Sequence, residues 1–348
     1  MDLIAHIATT ILEQLQKPTL AFLIGGMMLA ALGSKFEIPA PVYKFIVILL
    51  LLKVGIGAGL SIREADLVSL IVPAIGAAIV GISVVLLGCV TLRKMRGVSD
   101  MDAMATVGLF GAVSASTLAA AMAMLDDDGI AYEGFIGALY PFMDIAALVT
   151  AIALAKLSAA RARSKAGADG TMTMGGGTGP SGDTRGLLKD IMVDTLQSPA
   201  ISALFAGLAL GLLSNPDTVY DSFFEPLFRG LLSILMLIMG IEAWSRLSEL
   251  RQVAHAYLLY GLTAPLIHGA IGFGVGMIAH EMTGFSAGGV ILLAVMAASS
   301  SDISGPPTMR ASLPEANSSA YVGTSTGLGT PIAILSIPLW VALADALI

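Results

Sequence analysis

Charge is scarce in this sequence. Asp, Glu, Lys and Arg make up 12% of its 348 residues, against about 25% in an ordinary soluble domain. A well-solvated globule is therefore excluded. Cysteine is nearly missing too: Cys89 stands alone, so neither an intrachain disulfide nor a cysteine-based zinc cluster can form. The four histidines, His6, His255, His268 and His280, lack metal-ligand spacing and read as packed or loop residues. There is no His-Glu-x-x-His pair and no Walker loop. Basic residues gather only in one polar tract, so the patch that nucleic-acid binding needs is absent and no such partner is expected. The first residues show no basic segment followed by a cleavage site, and no removable signal peptide is expected.

What the chain has is apolar length. It is 56% hydrophobic with 39 glycines, and its mean hydropathy is +0.87. A bilayer crossing takes roughly 20 apolar residues. Such runs fall near 18–34, 41–61, 67–92, 103–125 and 132–157, then near 198–214, 224–245, 253–280, 285–313 and 319–347. The fold expected is an all-α polytopic membrane protein of about ten transmembrane helices. Between the two sets lies a polar, glycine-rich tract that reads as a flexible linker. This divides the chain into residues 1–160, a linker at 161–190, and residues 191–348.

The halves echo one another. Gln16-Lys-Pro18 recurs as Gln197-Ser-Pro199, and Gly55-Ile-Gly-Ala58 as Gly240-Ile-Glu-Ala243. Ser114 matches Ser304, and Gly137-Ala-Leu-Tyr-Pro141 matches Gly327-Leu-Gly-Thr-Pro331. Landmarks recurring in one order argue for duplication. A unit with an odd number of spans inserts its copy upside down, so two inverted five-helix repeats are expected. In such repeats, broken helices cross at mid-membrane around the substrate site. Positive charge gives the orientation. Placing the linker in the cytoplasm and both termini outside puts Lys35, Lys44, Arg93, Lys94, Arg96, Lys156 and the linker's basic residues inside. Arg246, Arg251 and Arg310 join them, leaving Lys17, Arg63, Arg229 and the acidic Asp126-Asp-Asp128 outside.

Two segments carry the chemistry. Phe285 to Leu313 is long enough to span, yet its middle reads Ser299-Ser-Ser-Asp-Ile-Ser-Gly-Pro-Pro-Thr308. Adjacent prolines remove helix donors, and freed backbone at membrane depth survives only where protein or a wet cavity satisfies it. The first-half counterpart is Gly108-Leu-Phe-Gly-Ala-Val-Ser114-Ala-Ser116-Thr117. Helix N-termini offer N–H groups and partial positive charge to an anion, while hydroxyls and a carboxylate suit a hard cation such as sodium. Pro306 and Pro307 align with Ser116 and Thr117, so the first break should give the anion more hydrogen bonds. The anion set expected is Ser114, Ser116, Thr117, Ser304, Gly305 and Thr308. The cation set expected is Ser299, Ser300, Ser301 and Asp302, with Asp144 either joining it or pairing internally. Serines in such spans also bond back to their own preceding turn. Glu242 is expected to pair with Arg246, one helical turn on. Lys53, Arg229 and Arg310 are candidate anion contacts or interface-seeking cations.

The residues quoted, together with several longer runs, resemble the cyanobacterial-type sodium-dependent bicarbonate transporter family over nearly the full chain. Those runs are Pro18-Thr-Leu-Ala-Phe-Leu-Ile-Gly-Gly26, Gly137-Ala-Leu-Tyr-Pro-Phe-Met-Asp144 and Phe228-Arg-Gly-Leu-Leu-Ser-Ile-Leu-Met-Leu-Ile-Met-Gly240. Glu242-Ala-Trp-Ser-Arg246 and Ala297-Ala-Ser-Ser-Ser-Asp-Ile-Ser-Gly-Pro-Pro-Thr308 complete them. The resemblance implies symport of sodium and bicarbonate into the cell across the plasma membrane, with sodium as coupling ion and no enzymatic activity. It also implies a homotrimer whose core domain moves against a gate domain. In that family a PII-like regulatory protein inhibits from the cytoplasm. From the residues alone, other readings stay open: a sodium symporter of another small anion, a cation/proton exchanger, or a membrane ligand sensor that does not transport. An intramembrane hydrolase would need a nucleophile beside a recognisable base.

Overall fold

The computed structural model describes residues 16–36, 38–64, 67–168, 196–250 and 255–348, with Lys189 and Val193 between. His6, most of the linker, Arg251 and the Arg246 side chain lie outside the described residues, and with them the expected Glu242–Arg246 pair. All regular structure among the described residues is helical. Seven helices are long and apolar enough to cross a membrane, and three shorter apolar ones accompany them. The chain is a multi-pass membrane protein.

Helix α1 runs over Pro18–Ala31, α2 over Ala40–Glu64 and α3 over Leu67–Thr91. Next come α4 at Asp100–Gly111 and α5 at Ala115–Asp128, one span interrupted at 112–114. A 3-10 turn at Gly134–Leu139 leads into α6, Tyr140–Ala168, which carries helix past the expected linker start at 161. In the second half, α7 covers Pro199–Leu213 and α8 covers Glu225–Leu250, entered through a π turn at Tyr220–Phe224. Then follow α9 at His255–Thr283, α10 at Ala287–Ala298 and α11 at Gly305–Ser312. The last span is α12 at Ser318–Val322, a π segment at Gly323–Gly329, α13 at Thr330–Leu335 and α14 at Ile337–Leu347.

Local chemistry sets these boundaries. Pro18 and Pro199 occupy first-turn positions, where a missing N–H costs nothing. Ser198, Ser99 and Ser286 cap the helices they precede by accepting from backbone N–H groups. Gly129 ends α5 in the left-handed conformation, at φ 65°.

The helices sort by contact into two groups. One is α1, α2, α7 and α8, in which α2 packs chiefly on α7 and α1 on α8. The other contains α3–α6 and α9–α14, with α9 on α10 and α6 on both α3 and α4. Both major crossings of the first group are backbone-close. A Cβ on Gly26 would fall 2.1 Å from the Leu237 carbonyl oxygen, and one on Gly240 would fall 2.0 Å from that of Leu23. At the α2/α7 crossing, a Cβ on Gly55 would fall 2.3 Å from the Leu204 oxygen and one on Gly207 2.5 Å from that of Leu52. Without a hydrophobic drive between helices in lipid, such close van der Waals packing is what holds them together.

Two substitutions separate packing from propensity. Gly240→Val forces α1 and α8 apart and should lower the thermal midpoint by several degrees, with loss of monodisperse protein on size-exclusion chromatography. Gly230→Ala on the same helix meets no atom within 4 Å and should leave the midpoint unchanged or slightly raised, since alanine is about 1 kcal/mol the better helix former.

Candidate functional site at two helix breaks

Breaking a helix in the membrane releases backbone donors that water cannot satisfy, so their new partners define the site. In an unbroken helix the Val113 N–H would donate to the Leu109 carbonyl. Here the chain is extended through Ala112 and Ser114, and the Val113 N–H donates to Asp144 Oδ1 at 3.1 Å. The Leu109 carbonyl instead accepts from the Ser301 N–H, across the two breaks, at 2.8 Å. The Ser114 N–H donates to Ser299 Oγ at 2.9 Å. On the second break, the Gly305 N–H donates to Ser301 Oγ at 2.8 Å. Each interruption is thus completed by the other and by one buried carboxylate.

Hydroxyls link the remaining atoms. Ser304 Oγ donates to Asp144 Oδ2 at 3.1 Å and lies 2.9 Å from Ser301 Oγ and 3.4 Å from Tyr140 OH. Ser116 Oγ donates to Asp302 Oδ2 at 2.6 Å and is 2.8 Å from Ser114 Oγ. Ser299 Oγ bonds back to the Met296 carbonyl, and Thr308 Oγ1 to that of Ser304. Ser300 Oγ turns away from the other two serines, donating to the Ser325 carbonyl in the π segment. Asp302 alone among the expected ligands is partly exposed; the others are buried.

The expected residues therefore converge, but as two carboxylate clusters. Asp302 sits with Ser116, and Asp144 with Val113 and Ser304. Among the described residues no group of three or more His, Cys, Asp and Glu could hold a metal ion, so a cation here must draw most of its oxygens from hydroxyls and carbonyls. The first turns of the half-helices differ as well. In α11, Gly305 already has an acceptor, and Pro306 and Pro307 have no N–H. In α5 the N–H groups of Ala115 and Ser116 belong to the set a helix cannot use internally, and Thr117 Oγ1 is buried without a partner.

The candidate cations lie elsewhere. Lys53 is buried but held by Glu225 at 3.0 Å, with its ammonium 4.3 Å from the Phe228 ring centroid. Arg229 pairs with Asp127, Lys17 pairs with Asp128, and Arg310 is exposed. Two Gly-x-Ser-x-Gly matches, around Ser286 and Ser325, have structural roles. Ser286 caps α10 and donates to Glu133, Ser325 lies in the π segment, and neither hydroxyl bonds a histidine among the described residues.

Residues 18–345 match the Na+-dependent bicarbonate transporter superfamily. The chain belongs to that superfamily. No curated protein matches it. In this member of the superfamily, helix amides, hydroxyls and two carboxylates come together at the two breaks.

Tyr43, on α2, is the site residue that sequence reasoning missed. Its hydroxyl lies 3.4 Å from Asp302 Oδ2 and 3.9 Å from Met239 Sδ. A tyrosine near the start of an apolar run carries no pattern of its own.

Asp144 can be tested through stability. Asp144→Leu strands the buried Val113 N–H and should cost about 1–3 kcal/mol, whereas Asp144→Asn keeps an acceptor there and should cost less. Thermal midpoints of the purified variants, compared with wild type, give the order.

Proposed function

We propose that the chain is a secondary symporter that carries bicarbonate into the cell on the sodium gradient. The observation that carries the reading is the meeting of the two breaks, with Asp302 hydrogen-bonded to Ser116 in the first turn of α5. On this reading the anion takes the N-terminal amides of α5 with Ser114, Ser116 and Thr117, and Ser304, Gly305 and Thr308 flank it. Sodium takes Asp302 with Ser299 and Ser301, and Asp144 is the second carboxylate; the Ser300 hydroxyl, bonded to Ser325, stays outside the set. An anion entering beside an uncompensated carboxylate is repelled. Sodium on Asp302 removes that repulsion, so each ligand strengthens the other by one shared coupling free energy.

Ten spans in two inverted repeats belong to the same proposal, and the glycine crossings support it. Pro18 and Pro199 lie 181 positions apart, as do Leu23 and Leu204, and Gly26 and Gly207. Gly55 and Gly240 lie 185 apart, as do Leu52 and Leu237. The contact of Gly26 with Leu237 thus maps onto that of Gly207 with Leu52, and the contact of Gly240 with Leu23 onto that of Gly55 with Leu204. Reciprocal contacts of this kind are what a two-fold relation between repeats produces.

The α1, α2, α7 and α8 group serves as the gate, and the group with the breaks as the core that moves against it, as in an elevator. The ion pairs Lys17–Asp128 and Arg229–Asp127 gather at one end residues expected on the outer face, which supports external termini and a cytoplasmic linker. Plasma-membrane placement, a homotrimer and inhibition by a PII-like protein complete the proposal.

Reconstituted vesicles test it. Labelled bicarbonate should accumulate only with an inward sodium gradient at fixed pH. Asp302→Ala should abolish the sodium-stimulated part, more than tenfold, while the protein remains in the membrane. Sodium-independent flux, or wild-type uptake by the variant, sinks the reading; sodium-for-proton exchange without bicarbonate would favour an exchanger.

A further inference from the structure

Among the described residues, Tyr43 holds a position no other residue of the site shares. Every other described side chain hydrogen-bonded at the two breaks comes from α4–α6 or from residues 296–330. Tyr43 reaches Asp302 from α2, in the other helix group. Its hydroxyl also faces Met239 Sδ on α8, in its own group. A phenol carries a single hydrogen, and a thioether is a much weaker acceptor than a carboxylate. The hydroxyl therefore has two alternative settings: across the group boundary to Asp302, or within its own group to Met239.

We propose that Tyr43 is a positioning residue that links the ligation of Asp302 to the contact between the two helix groups. This rests on the reading of Asp302 as the sodium-binding carboxylate. A cation on Oδ2 repels the hydroxyl hydrogen, which turns to Met239 Sδ. The hydrogen bond across the boundary is broken, and the group holding the breaks is released from α2 at this point. Sodium binding is consequently opposed by the loss of one hydrogen bond to a charged acceptor, softened by the thioether that receives the hydrogen. No covalent bond changes and no proton leaves the residue.

The test measures the sodium concentration giving half-maximal bicarbonate uptake in vesicles containing wild type, Tyr43→Phe or Met239→Leu. Both substitutions nearly conserve volume, so packing is little disturbed. Tyr43→Phe removes the competing hydrogen and should lower half-saturation by about threefold or more, a modest share of what a hydrogen bond to a charged group contributes. Met239→Leu removes the alternative acceptor and should raise it. A merely structural role would change the amount of folded protein and the maximal rate, not shift half-saturation in opposite directions. If wild-type flux ignores sodium, the symport reading itself falls. If wild-type flux is sodium-dependent but Tyr43→Phe leaves half-saturation unchanged or raises it, Tyr43 is a spectator or a sodium ligand and the proposal is overturned. A Met239→Leu value equal to wild type overturns the two-setting switch.

Discussion

The hydrogen bond from the Ser301 N–H to the Leu109 carbonyl is the contact on which the rest of the site depends. Inside a bilayer an orphaned amide or carbonyl costs several kcal/mol, and neither break can stand alone. The interruption between α4 and α5 frees the Leu109 carbonyl, and the one between α10 and α11 frees the Ser301 amide. Joining those two groups satisfies both and fixes the distance between the half-helices. The neighbouring amides follow the same logic: Val113 goes to Asp144 and Ser114 to Ser299. The carboxylate of Asp144 is thereby explained by backbone accounting before any ligand is considered. Asp302 differs, because its side-chain partners are hydroxyls that can reorient.

That contact joins two breaks that are not alike. The glycine crossings of α1 with α8 and of α7 with α2 reproduce one geometry twice. The breaks do not. Pro306 and Pro307 stop α11 from presenting amides, and Ser301 takes the single donor Gly305 retains. In α5 the Ser114 hydroxyl takes the Thr117 N–H, which leaves the first-turn amides of Ala115 and Ser116 and the unpartnered Thr117 hydroxyl. Unequal breaks can hold unlike charges side by side, which two identical breaks could not.

Much of this was legible in the sequence because the signals were backbone signals. Proline pairs, clustered serines and glycines, and an intramembrane aspartate mark a broken span whatever its neighbours do. The positions of both interruptions followed, and so did the set of residues that gather there. Side-chain direction did not. Ser300 sits between Ser299, whose hydroxyl accepts from Ser114 across the breaks, and Ser301, whose hydroxyl accepts from Gly305, yet its own hydroxyl bonds to Ser325 in the π segment. Lys53 looked like a candidate interface cation, but Glu225 and the Phe228 ring keep it in place. Tyr43 was invisible since its role comes from the packing of α2 beside Asp302, a relation between residues 259 positions apart.

The distribution of fixed charge bears on why such a site would need a coupling ion. Its two acidic side chains are Asp144 and Asp302, and no lysine or arginine among the described residues is hydrogen-bonded to either. Lys53, Arg229 and Lys17 have acidic partners of their own. Two unit charges 4 Å apart interact by about 4 kcal/mol at an effective dielectric constant near 20, comparable to what a pair of hydrogen bonds to a charged group returns. An anion approaching the α5 terminus beside an ionised Asp302 would therefore lose most of what the amides offer it. A fixed arginine there would solve the problem for binding, but it would hold the anion equally well whether or not the gradient ion was present. Leaving the positive charge to a mobile ion makes occupancy of one ligand conditional on the other, and that conditionality is what coupling requires.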